Sequence, residues 1–106
     1  EVLKKQHRLK KASEFKEIFD KNKRKVYKHI IIYYQKSTAN KLGVIAKKKI
    51  GNAVVRNKWK RRIKSIYKEI SQNIKNHDII IITKQNINNT TFSTVKKTVL
   101  EFTKQL

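Results

Sequence analysis

Between Lys47 and Lys64 the chain reads KKKIGNAVVRNKWKRRIK, with nine Lys or Arg and no carboxylate. Side chains of this type, so spaced, can neutralise a polyanion. Each one that meets a phosphate releases condensed counterions, the main sequence-independent source of nucleic-acid affinity. The asymmetry extends beyond the block. No acid stands between Asp20 and Glu69, an interval that carries seventeen basic residues, whereas a surface made for solubility alone intersperses both signs. Over 106 residues the formal net charge is +21, from 28 Lys+Arg against 7 Asp+Glu, and the pI is about 10.4. Material for bond-breaking chemistry is thin by comparison. A metal-dependent nuclease needs clustered carboxylates, and the only cluster is Glu14, Glu17 and Asp20, spaced by three along a helix flank as ordinary surface charges. His7 and His29 have no lysine brought to them by spacing, and His77-Asp78 reads as a structural pair at a strand edge. With no Cys, disulfides, thiolate chemistry and cysteine zinc sites are excluded, which fits a cytoplasmic protein. No side chain is assigned a catalytic or metal-binding role, and no small-molecule substrate is expected.

The basic block needs a helix to present it. Gly51-Asn52 is a break followed by an N-cap residue. After it, Val55, Trp59, Ile63, Ile66 and Ile70 step by 4, 4, 3 and 4, one apolar stripe at about 100° per residue. Arg56, Lys60, Lys64 and Lys68 run along one flank, while Asn57, Lys58 and Arg61 fill the polar arc. Like charges at i,i+4 repel by roughly a few tenths of a kcal/mol per pair, so an anionic partner explains this face better than stability does. Arg62 falls at the edge of the stripe, where only its aliphatic stem could be covered.

The remaining elements follow from pattern. The length suits one domain, residues 1–106, with no linker or repeat to divide it. Residues 1–12 are expected to form a basic, extended arm. Ser13 is expected to cap a helix running to about Asn22, with Phe15, Ile18 and Phe19 on one face. Val26–Gln35 reads as a strand in which Tyr33 alternates away from Ile30, Ile32 and Tyr34, with an extra short strand near Lys23–Val26. Leu42–Lys47 is another strand. Asp78–Thr83, apolar on both faces, reads as central and buried. Thr91 caps a last helix whose Phe92, Val95, Val99, Phe102 and Leu106 step by 3, 4, 3 and 4. The order predicts an α+β sandwich, a small, mostly antiparallel four-stranded sheet with three helices, α-β-β-β-α-β-α. The run Ile79–Ile82 is far too short to cross a membrane, and no signal peptide is visible.

Lys48 to Arg61, K-K-I-G-N-A-V-x-R-N-K-x-K-R, resembles the signature of the protein subunit of bacterial ribonuclease P. Arg8-Leu9-Lys10-Lys11 with Phe15 and Phe19 is similar to that family's first segment, and Asp78–Ile82 followed by a helix to its end. Two positions depart from the pattern: Lys58 replaces the second Arg of the R-N-R triplet and loses the bidentate fork, and Arg62 stands where an aliphatic residue is common. The resemblance implies a left-handed βαβ crossover, the rare hand. It implies that Arg56, Asn57, Lys58, Lys60, Arg61 and Lys64, with Lys47 and Lys48, bind the large catalytic RNA. It also implies that Phe15, Phe19 and Tyr33, rimmed by Lys49, Arg56, Asn57 and Lys60, take the single-stranded 5′ leader of precursor tRNA. The implied partners are ribonuclease P RNA and precursor tRNA, with Mg²⁺ bound by the RNA and no cofactor held by the protein alone. A basic ribosomal-type RNA-binding protein is the alternative; a helix-turn-helix DNA binder fits poorly, because the segment ahead of the basic helix is a strand.

Overall fold

The computed structural model describes residues 8–106, so residues 1–7 of the expected basic arm lie outside the described residues. The elements are α1 (Ala12–Lys21), β1 (Arg24–Val26), β2 (Ile30–Lys36), β3 (Lys41–Ala46), α2 (Ala53–Ile70), β4 (His77–Thr83) and α3 (Phe92–Thr103), with single 3₁₀ turns at Lys48–Ile50, Ser71–Asn73 and Ile87–Asn89. This is the expected order. The sheet runs β1-β2-β4-β3. β1 and β4 pair antiparallel with β2, and β3 pairs parallel with β4. Four consecutive isoleucines place β4 at the centre, buried along its whole length, because a strand covered on both faces has no polar side to alternate with. The β3–α2–β4 connection joins parallel neighbours, and to this connection the resemblance attaches its left-handed crossover.

The two-residue period of strands divides the isoleucines between faces. Ile79 and Ile81, with Ile30, Ile32, Leu42 and Ala46, meet Trp59, Ile63 and Ile66 of α2 and Val95, Val99 and Phe102 of α3 in the main core. Ile80 and Ile82 turn the other way, with Ile31, Tyr33 and Ile45, and among the described residues are covered by Leu9 and by Phe15, Ile18 and Phe19 of α1. One face therefore carries two helices and the other carries one.

Local chemistry sets the element ends, with three departures from expectation. Asn52 caps α2 as expected, its Oδ1 accepting from Val55 N–H at 3.1 Å. Gly51 ahead of it has φ 149°, a conformation open to glycine. Thr91 caps α3 through Thr94 N–H at 3.2 Å, but α3 stops at Thr103, short of Leu106. Ser13 does not cap α1: Lys11 is the N-cap residue, with no side-chain cap, and its carbonyl accepts from Glu14 N–H at 3.0 Å. Docking of Phe15, Ile18 and Phe19 on the sheet sets that start. At the other end Asn22 takes φ 53° and closes the helix. The strand read from Val26 starts instead at Ile30: Val26 ends the expected extra strand, β1, and residues 27–29 form the turn of a β1–β2 hairpin. Its turn has no Gly or Pro; it is closed by Tyr27 N–H donating to Ile30 O at 2.9 Å and braced by distant partners, Asn86 Nδ2 donating to Lys28 O at 3.1 Å and Lys84 N–H to His29 O at 2.9 Å.

Candidate RNA interface

The half-covered face of the sheet forms a groove. α1 crosses it at one level, where Gly43, Ile80 and Tyr33 are register partners. Phe15 lies on Gly43, where an added Cβ would come within 2.6 Å of its ring. Phe19 meets Tyr33 edge to face, with centroids 4.8 Å apart at 85°. At the next level Ile45, Ile82 and Ile31 are partners, and Ile31 and Ile45 remain half-exposed. Beyond them Lys47, Lys48, Lys49 and Lys84 join Ile31, Ile50 and Ile82 around a hollow of about 520 Å³. The floor is thus aromatic and aliphatic, and the far rim is ammonium.

The basic helix is a separate surface. α2 packs on the opposite face of the sheet, and its apolar stripe is buried at Trp59, Ile63, Ile66 and Ile70. Trp59 is held by a relay: its Nε1 donates to Asn88 Oδ1 at 2.9 Å, and Asn88 Nδ2 donates to Ile50 O at 2.6 Å. Asn57, Lys58 and Arg61 are exposed, while Arg56, Lys60 and Lys64 are half-buried. Asn57, Lys60, Arg61 and Lys64 line one shallow depression with Val54, itself 73% exposed. Lys58 and Arg62 stand on the flank that meets α3, where the Arg62 guanidinium lies over the Trp59 ring at 5.1 Å. The Arg62 departure is thus accommodated by a cation–π contact of its head, and not only by cover of its stem.

Phe15, Phe19 and Tyr33 are brought together as expected, and Lys49 belongs to the same groove. Arg56, Asn57 and Lys60 are not among the aromatics; they ride on α2, which packs on the opposite sheet face. Two residues had no sequence signal. Arg24 lies over the Tyr33 ring at 5.8 Å because the β1–β2 register pairs those two residues. Lys84 reaches the lysine rim because parallel pairing of Ala46 with Thr83 ends β3 and β4 side by side.

Glu14 pairs with Lys41 at 3.7 Å and Glu17 with Lys21 at 3.7 Å. Glu69, first acid after the gap, pairs with Lys96 at 2.6 Å. Asp78 is buried and accepts from Gln35 Nε2 at 2.9 Å; the Tyr67 phenol is pushed up to about 12, by burial first and by the Asp78 charge second. Among the described residues no three His, Cys, Asp or Glu converge as a metal site would require.

Comparison with known proteins agrees with this architecture. A family model described as Ribonuclease P matches residues 3–106. The chain is similar to the "Ribonuclease P protein component" of Syntrophomonas wolfei, 35% identical over 99 residues that span 91% of this chain and 83% of the relative. Its fold is similar to the Staphylococcus aureus RNase P protein, with TM-score 0.83, 30% identity and 93% of each chain covered. The RNase P protein from Thermotoga maritima superposes with TM-score 0.82 at 27% identity, covering 93% of this chain and 96% of that one. The chain belongs to the ribonuclease P protein family.

Proposed function

We propose that this chain docks on the large RNA of ribonuclease P through α2 and the Lys47–Lys48 approach, and holds the single-stranded 5′ leader of precursor tRNA in the α1-side groove. The observation that carries this reading is the groove's composition: stackable rings and an apolar floor beside four ammonium groups. Bases stack on aromatic faces while a positive rim follows the backbone, and only an unpaired strand offers both at once. A duplex keeps its base faces inside. Phosphodiester cleavage then belongs to the RNA and its bound Mg²⁺, with cytoplasmic tRNA maturation as the setting. The protein's part is to add affinity at the leader and to neutralise the mutual repulsion of two polyanions, which is most severe when Mg²⁺ is scarce. A ribosomal-type module would use the charge but has no need of the groove. The test is reconstitution: the protein should raise cleavage of a precursor tRNA by a bacterial ribonuclease P RNA at low Mg²⁺. A folded protein that binds this RNA without raising cleavage would favour the ribosomal-type reading.

A further inference from the structure

A second aromatic and cationic surface lies on the α3 side of α2, away from the groove. Lys58, Arg61, Arg62 and Ser65 face Phe92 of α3 across a shallow hollow of about 610 Å³. Arg62 is its centre. The guanidinium sits 5.1 Å from the Trp59 ring centroid and 6.0 Å from that of Phe92. Trp59 is 1% exposed and pinned by its hydrogen bond to Asn88, so the platform beneath Arg62 does not move easily. Arg62 and Phe92 remain half-exposed. Glu69, further along α2, is taken by Lys96, and among the described residues the hollow is lined by three cations and no carboxylate.

We infer that this hollow is a seat for an unpaired nucleotide of the RNA partner, its base stacked on the Arg62 guanidinium and Phe92 ring and its phosphates met by Lys58 and Arg61. A guanidinium whose inner side meets an indole 5.1 Å away leaves its outer side to a nucleobase, as Arg planes do in single-stranded RNA recognition, and the charge of the lining selects an anionic occupant. The seat rests on the proposed docking of α2 on ribonuclease P RNA and adds to it a contact that reads an extruded base.

The experiment titrates the full chain with labelled bacterial ribonuclease P RNA, without precursor tRNA, while following the emission of Trp59, the only tryptophan. Arg62→Leu keeps apolar cover over Trp59 and removes the plane; Phe92→Leu keeps every charge and removes the ring. Each should weaken binding by roughly 5- to 150-fold, the range for one stacked base. Phe92→Leu should do so with an unchanged salt slope, since stacking releases no counterions. Arg62→Lys, which keeps the charge without the plane, should stay weak. Saturation with RNA should shift Trp59 emission in the unaltered chain and in Arg56→Ala, and not in Arg62→Leu. Thermal unfolding confirms that each variant is folded at the temperature of the titration. Unaltered affinity in Arg62→Leu and Phe92→Leu would overturn the seat and leave only a clamp between α2 and α3. Loss of cleavage stimulation by the unaltered chain would fall on the proposed function instead.

Discussion

Replacing Tyr33 with alanine tests the groove directly. The ring contributes to folding through its edge-to-face contact with Phe19 at 4.8 Å, about 0.5–1.5 kcal/mol, and through Arg24 at 5.8 Å, about 0.5–1 kcal/mol at an exposed site. These two contacts amount to about 1–2.5 kcal/mol, to which the lost burial of the ring adds, set against the roughly 5–15 kcal/mol that holds a domain together. Stacking of one leader base is worth about 1–3 kcal/mol, so Kd of the reconstituted holoenzyme for precursor tRNA should rise by roughly 5- to 150-fold. Affinity for mature tRNA, which has no leader, should stay nearly unchanged. The assay is a pair of equilibrium titrations, one per tRNA, with thermal unfolding of the variant as control. Tyr33→Leu is the companion, because it keeps apolar cover over Phe19 while removing the stacking face, and it should show the same selectivity at smaller cost to stability. Phe15 and Phe19 are poorer probes, since truncating a packed Phe costs about 3–5 kcal/mol of folding. Equal loss for both tRNAs in a folded Tyr33 variant would refute the assignment of the leader to this groove.

Three further outcomes are expected. If α2 and its approach neutralise roughly six phosphates, log K for the RNA should fall with log salt at a slope of about −4 to −5, and Arg56→Ala or Arg61→Ala should each cost about 1–3 kcal/mol; a slope near zero contradicts an electrostatic interface. Gly43→Ala puts a Cβ within 2.6 Å of Phe15, so Phe15 must move, with about 1–3 kcal/mol lost on unfolding measurements and weaker leader binding; unchanged stability would mean that α1 does not sit so tightly on β3. Because folding raises the Tyr67 phenol from 10.0 to about 12, the folded state holds that proton more tightly than the unfolded chain. The associated stability is complete below pH 10 and declines by about 1.4 kcal/mol per pH unit as pH rises toward 12. Tyr67→Phe should remove this decline relative to the unaltered chain, and parallel curves for the two proteins would show the shift to be absent.

Much of the molecule was legible from one-dimensional pattern. The 4, 4, 3, 4 spacing of Val55 to Ile70 and the Asn52 cap define α2, because helix periodicity and capping are local properties. The unbroken Ile79–Ile82 run marks the strand that must be covered on both faces. The acid-free interval declares a polyanion partner whatever the fold, since charge needs no geometry to be counted. Other features required the tertiary structure. The hairpin turn at residues 27–29 is braced by Lys84 and Asn86 from across the sheet, and no local Gly or Pro announces it. The start of α1 is set by docking of its aromatics and not by the Ser13 hydroxyl. Lys84 joins Lys47 to Lys49 only because β3 and β4 run parallel and end together, and Arg24 reaches Tyr33 only through strand register. Arg62, at odds with its stripe, finds its place against Trp59 and Phe92, one on its own helix and one on another. The sequence by itself determined which stretches are helical or extended, which stripes are apolar and what charge the chain carries, because those follow from neighbours within a turn or a strand. Which cations share a surface with which rings was decided by the packing of α1 on one sheet face and of α2 and α3 on the other, since contacts between residues distant in the chain exist only once the sheet's order and direction are set.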